Sequence, residues 1–280
     1  MSAPSDLGVR TVTGLLLIVA ALVLIDIGGG AGGSALIGPW AFRLVTAVLA
    51  AIMLIEWNGI HKLPSAWSYA AAALLALLLL LLAEWLFPIA SIAEMLSSAA
   101  FSPALPGCAV LVGVGLLLGL AARRPALGAG FVYIAIPAFA LLALEWGWER
   151  LTFWVMITTW TTDIGAYFAG RGIGGPKLAP RISPNKTWAG LLGGMAGAAV
   201  IGWIAAHFLR IDGIFLLLGA PMAALAQAGD LFESWIKRRA GVKDSGSILP
   251  GHGGLLDRLD GLLPVLVATL VLLMAGYWVP

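Results

Sequence analysis

The chain has 280 residues, 61% of them hydrophobic and only 11% charged, with a mean hydropathy of +0.99 and a formal net charge of +2. Soluble domains are about a quarter charged, so this composition excludes an ordinary soluble domain, and so small a net charge argues against a nucleic-acid binder. The single cysteine, Cys108, excludes an intramolecular disulfide and a multi-cysteine zinc cage.

Apolar runs near twenty residues long recur along the chain, each matched to a bilayer core roughly 30 Å thick. They predict nine spans, near 11–27, 36–57, 66–83, 106–122, 126–145, 151–170, 188–208, 213–232 and 260–279. The expected fold is therefore an all-α, polytopic integral membrane protein. The first run follows Arg10 and could instead serve as a signal peptide. The stretch "GGGAGGS" then forms a flexible link to the second. Pairs of glycines four residues apart (Gly115 and Gly119, Gly190 and Gly194, Gly193 and Gly197) predict close helix packing.

Lysine and arginine set the expected sidedness. Arg10, Lys62, Arg123, Arg124, Arg171, Lys177, Arg181, Lys186, Lys237, Arg238, Arg239, Lys243 and Arg258 fall on one side, which is 13 of the 16 cationic residues. That side should be cytoplasmic, with the N-terminus inside and the C-terminus outside. Residues 1–150 are expected to be scaffold helices that also offer dimer contacts. Residues 151–280 are expected to be catalytic, with cytoplasmic loops at 171–187 and 233–259.

Polar chemistry begins at Asp163 in "TTWTTDIGAYFAG". An acid inside a membrane helix costs about 2.5–3.5 kcal/mol on insertion scales and usually faces a polar cavity. The following loop brings Ser183, Asn185, Lys186 and Thr187 to the start of a helix, where backbone N–H groups suit a phosphate. "GIGGPK" lacks the GK[ST] ending of a Walker A loop. "NKT" matches a glycosylation acceptor, but its cytoplasmic placement argues against that use.

Further on, Asp230, Glu233, Ser234 and Lys237 share one helical face. Glu233 to Asp260 is the most charged stretch of the chain, with Glu233, Lys237, Arg238, Arg239, Lys243, Asp244, Asp257, Arg258 and Asp260. Between them "PGHGG" predicts a sharp turn, and glycines before a helix let phosphate oxygens approach the backbone. Carboxylates from the two helix ends flanking this loop could hold a hard cation such as Mg²⁺. A juxtamembrane loop binding anionic headgroups would account for "KRR" but not for the acids or "GHGG".

The stretch Ser234–Asp260, read as S-x-x-K-R-x-x-x-x-K-D-x-x-x-x-x-P-G-H-G-G-x-x-D-R-x-D, closely resembles the signature of phosphatidate cytidylyltransferases, the CDP-diacylglycerol synthases. "DIGAYFAGR" and "LAPRISPNKTWAG" resemble upstream motifs of that family, with Ile164 where threonine would be more usual. The resemblance implies transfer of a cytidylyl group from CTP to phosphatidic acid, giving CDP-diacylglycerol and pyrophosphate. It also implies an all-helical fold, a homodimer, Mg²⁺ with a second cation such as K⁺, and a cytoplasm-facing site in the cell inner (plasma) membrane.

By motif position it implies Asp230 and Asp257 as cation ligands, and catalytic roles for both together with Lys186 and Asp163. Substrate contacts are implied for Ser183, Asn185, Thr187, Lys237, Arg238, Lys243, Asp244, His252, Gly253, Gly254 and Arg258. Two other classes are weighed against this. A cation-coupled transporter would be expected to repeat its broken helices in two halves, and a CDP-alcohol phosphotransferase to carry a DG…AR…G…D…D helix; the sequence has neither pattern.

Overall fold

A computed structural model describes residues 38–96, 104–211, 213–249 and 253–275. The expected first span and His252 lie outside these residues. The described chain is mostly helical and divides into two compact units. One comprises Met1–Glu149 with Asp244–Leu256, and the other Arg150–Lys243 with Asp257–Pro280.

The helices of the first unit are α1 (Gly38–Ile60), α2 (Ser65–Leu96), α3 (Ala104–Ala121) and α4 (Pro125–Gly147). Pro125 opens α4, where its missing N–H would have had no helical partner. Its fully buried Phe131, Ile134 and Phe139 join Leu54 of α1 and Leu75 and Leu79 of α2 in the core. Close approach of α3 and α4 depends on glycine: a Cβ on Gly128 would strike the Gly115 carbonyl oxygen, and one on Gly107 would strike the Phe139 ring. Trp57 links α1 to α4 by donating its indole N–H to the Ala126 carbonyl at 2.9 Å.

Two turns in this unit share one device. Lys62 and Arg123 both have φ 52, and the residue after each donates back to a carbonyl five residues earlier, Leu63 to Asn58 and Arg124 to Gly119. This is a Schellman ending, usually closed by glycine. A cationic residue there pays a backbone penalty but sets positive charge at the negative helix terminus.

The second unit begins with α5 (Glu149–Gly172), whose first residue belongs to the other unit, and continues with α6 (Trp188–Phe208). The predicted glycine spacing is put to use here. Gly190 faces the Ala166 carbonyl, Gly193 the Gly165 carbonyl, and Gly194 the Thr162 carbonyl, all near 3 Å from where a Cβ would stand. No larger side chain fits without separating the helices.

The segment joining α5 to α6 corrects the all-α expectation. Strand β1 (Lys177–Ala179) pairs antiparallel with β2 (Ser183–Thr187), Lys177 opposite Thr187 and Ala179 opposite Ser183. Gly174 and Gly175, at φ 67 and 91, turn the chain back after α5, and Ile182 N–H closes a turn onto the Ala179 carbonyl. Helical periodicity cannot announce a hairpin only eleven residues long, Lys177 to Thr187.

A 3₁₀ turn, Gly213–Leu217, precedes α7 (Gly219–Ala240), which runs past the expected end near 232 and stops at left-handed Gly241. The last predicted span, near 260–279, is represented by α9 (Leu262–Met274), and an interruption at Asp260 and Gly261 separates it from the short α8 (Leu256–Leu259) that precedes it. Gly229 of α7 packs against the Asp260 carbonyl and Pro264, so the interruption lies on α7.

Five described helices are long and apolar enough to cross a membrane: Trp40–Ile60, Ser65–Trp85, Ala104–Ala121, Pro125–Trp146 and Trp188–Phe208. Helices α5 and α7 are long but are not among them.

Candidate active site

Helices α5, α6 and α7 and the hairpin enclose a cavity of about 610 Å³, within the roughly 300–1,000 Å³ typical of small-molecule sites. From α5 come Asp163, Tyr167 and Arg171; the hairpin adds Asn185, Lys186 and Thr187. Gly190 opens the α6 wall, and Gln227 and Asp230 line the α7 side. Gln227 and Asp230 are three residues apart and so project from the same face of α7.

Lys186 is the centre of this arrangement. Its Nζ lies 2.5 Å from Asp230 Oδ2 and donates to Gln227 Oε1 at 2.9 Å. Ser234 in turn donates to Asp230 Oδ1 at 3.2 Å, so each carboxylate oxygen has a partner. The Lys186 and Asp230 side chains keep 17% and 34% exposure, which leaves the pair open to an incoming ligand. Asp163 is exposed and lies in the combined field of Asp230, Lys186 and Arg258.

Thr187 caps α6. Its φ of −122° is extended, and its Oγ1 accepts the Gly190 N–H at 3.0 Å. The other N–H groups of the first turn have no carbonyl partner within the helix. Arg171 is steered by Tyr167, its Nη1 donating to the phenol oxygen at 2.7 Å.

A second cluster lies further along α7. Lys237 Nζ contacts Glu233 Oε2 at 2.7 Å and Asp257 Oδ1 at 2.5 Å, with side-chain exposures of 9%, 0% and 8% respectively. Burial by itself would pull the Lys237 ammonium down, but the hydrogen bonds and charges of Asp257 and Glu233 win and hold it above the usual lysine range.

The sequence-predicted residues thus separate. Asp163, Asn185, Lys186, Thr187 and Asp230 converge on the cavity, whereas Asp257 and Lys237 are joined in the buried cluster. Ser183 pairs with Ala179 in the hairpin. Arg238 donates to the Ile182 and Val242 carbonyls, at 3.3 and 3.1 Å, and so ties the end of α7 to the hairpin turn. Lys243 and Arg258 are exposed residues of this unit; Asp244, Gly253 and Gly254 belong to the other. There Leu249 pairs with Gly253, at φ 81, across the predicted sharp turn.

Two residues were missed. Gln227 has the same helical spacing to Asp230 that linked Asp230 to Glu233, and that spacing could have exposed it. Glu56 is an acid within an apolar run, the same signal that singled out Asp163. It lies in α1 and bonds to residues of the 244–256 segment.

Comparison with known proteins finds relatives among phosphatidate cytidylyltransferases. Over 166 residues the chain is 45% identical to a phosphatidate cytidylyltransferase of Brucella suis, an alignment spanning 56% of this chain and 58% of the relative. It is 35% identical over 162 residues to the phosphatidate cytidylyltransferase of Rickettsia bellii, covering 53% and 68%, and 49% identical over 117 residues to that of Bacillus subtilis, covering 41% and 44%. The chain thus spans a little over half the length of the Brucella relative. The model of the cytidylyltransferase family matches residues 9–275, nearly the whole chain. The chain belongs to the cytidylyltransferase family.

Proposed function

We propose that this protein is a phosphatidate cytidylyltransferase, transferring the cytidylyl group of CTP to phosphatidic acid. The observation that carries the proposal is the open Lys186–Asp230 pair at the capped start of α6, in a cavity of nucleotide size within a membrane protein of this family. A phosphate oxygen of phosphatidic acid attacks the α-phosphorus of CTP. The new P–O bond forms as the bond from that phosphorus to the bridging β-phosphate oxygen breaks, and pyrophosphate leaves. A phosphomonoester has its second pKa near 6, so the nucleophile is mostly a dianion at neutral pH and needs no strong base.

What the chain must supply is position and charge, which dominate phosphoryl-type transfer. Lys186 is placed to exchange part of its contact with Asp230 for a CTP phosphate. Asn185 and the first turn of α6 can donate to the same oxygens. Asp163 and Asp230 provide hard oxygen donors at one cavity, which fits Mg²⁺, an ion commonly held by one or two carboxylates plus substrate phosphates. When bound, the ion would neutralise charge developing on the leaving pyrophosphate. Asp257, the other expected ligand, would first have to release Lys237, and a second cation such as K⁺ stands on the family resemblance alone.

The decisive experiment incubates the purified protein with labelled CTP and phosphatidic acid. A lipid-extractable nucleotide and released pyrophosphate are expected; their absence in a folded preparation would overturn the activity. For the metal, Mg²⁺ should raise the melting temperature of the parent but not of Asp230→Asn. Equal shifts would remove Asp230 from the ion site.

We assign the site to the cytoplasmic face of the inner membrane, with the N-terminus inside, on the asymmetry of lysine and arginine. Cysteines at Ser183 and Ser245, in a Cys108→Ala background, should resist an impermeant reagent applied to intact cells. Labelling from outside would reverse the orientation. Homodimer formation belongs to the same reading and is tested by mass measurement of the detergent-solubilised protein.

A further inference from the structure

Lys186 stands between two acceptors of one helix. Its Nζ lies 2.5 Å from Asp230 Oδ2 and 2.9 Å from Gln227 Oε1. Asp230 already supplies the opposite charge, so the amide adds nothing to the charge balance. Gln227 is nevertheless 6% exposed on the cavity wall, with its oxygen toward the ammonium. That orientation is forced, because an ammonium only donates and an amide –NH2 has nothing with which to accept.

Helix packing alone does not call for an amide here. The buried positions beside it on α7, Met222, Ala223 and Ala226, are apolar, and burying an amide costs free energy unless it is hydrogen-bonded. What Gln227 adds is direction. Lysine carries a point charge on a flexible stem, so one carboxylate fixes the distance of the ammonium but not its heading. A second acceptor, three residues earlier on the same face of α7, fixes the heading as well. Among the described residues these contacts engage two of the ammonium N–H groups and leave another for a ligand. Being neutral, the amide directs the ammonium without cancelling the charge that a phosphate would meet.

We infer that Gln227 is a positioning residue that acts through Lys186. It holds the ammonium toward the cavity as the contact with Asp230 loosens, so that Lys186 meets a phosphate of CTP. The identity of the ligand rests on the proposed function, and the hold on Lys186 on the observed contact.

The test compares full-length Gln227→Met with the parent in detergent micelles. Methionine keeps an unbranched side chain and replaces the amide oxygen by a weakly accepting thioether. Acylation of Lys186 by a small amine-reactive ester, followed by peptide mass spectrometry, should quicken by about threefold or more. The Kd for CTP, measured by calorimetry without phosphatidic acid, should rise by about tenfold. The KM for CTP should rise in parallel, with kcat and the KM for phosphatidic acid each changed less than about threefold. In a Lys186→Ala background Gln227→Met should alter the CTP Kd by less than about twofold, because the group it positions is gone.

An equal rise of the Kd in the Lys186→Ala background would overturn the inference, as would a lower melting temperature with unchanged Kd and KM for CTP. Acylation of Lys186 at the parent's rate would do the same. If Gln227→Met fails to accumulate, Gln227→Asn sets the amide one methylene short of Lys186 and should still raise the Kd for CTP by about threefold or more; parent-like binding there would also overturn it. If the parent itself neither bound nor turned over CTP, the proposed function would fall, while the acylation comparison still decided whether Gln227 holds Lys186.

Discussion

Lys186 and Lys237 each neutralise acid on the same helix, α7, yet in very different surroundings. Lys186 and Asp230 keep 17% and 34% exposure at the edge of a cavity, whereas Lys237, Glu233 and Asp257 are sealed at 9%, 0% and 8%. An open pair can exchange a partner for substrate because water and ligand already compete for its charges. A sealed cluster cannot lose its cation without leaving carboxylates buried and uncompensated, which costs far more than the pair contributes when intact. Under the proposed function the first pair is the one that meets substrate, whereas the second holds α7 to Asp257.

The largest effect should come from breaking the sealed cluster. Lys237→Met is expected to destabilise the protein by about 3–5 kcal/mol, read as a lower melting temperature and reduced accumulation, and adding Glu233→Gln should recover part of the loss. A stable Lys237→Met protein would erase the distinction between the clusters. Next, Asp230→Asn should lower transfer by about 10²–10³-fold, the scale of removing one electrostatic stabiliser from a reaction site, with little change in melting temperature. Loss of stability without loss of turnover would reverse the assignment. A double-mutant cycle with Lys186→Ala should then be strongly non-additive, because the two groups act together.

Smaller effects test the frame that holds the open pair in place. Gly194→Val puts side-chain atoms where the Thr162 carbonyl lies, and should cost about 1–3 kcal/mol through overpacking of α5 on α6. Thr187→Ala removes the α6 cap and should cost about 1 kcal/mol. Its melting temperature should fall slightly, and CTP use should fall more than phosphatidate use if the helix start receives the nucleotide.

Much of this site is legible in the chain. Asp163, Lys186 and Asp230 are charged residues placed against an apolar background, and they converge as expected because each must find a polar partner or a cavity. The glycine spacing on α6 foretells its contact with α5, since only small residues let helix backbones meet. Gln227 and Glu56 were less visible. A single amide or acid has no periodic signature, and its importance comes from a partner 41 residues away in one case and about 190–200 in the other.

Composition and periodicity by themselves determined a helical membrane protein, because a bilayer rewards long apolar runs whatever their neighbours. The motif residues likewise pointed to a polyanionic substrate, because clustered cations and acids in so oily a chain require a polar counterpart. Tertiary structure alone decided which acid meets which lysine. Asp230 and Asp257 look alike as aspartates at helix ends, and only packing leaves one open beside Lys186 while it seals the other against Lys237. Burial depends on every element around a side chain, and the local sequence does not contain those elements.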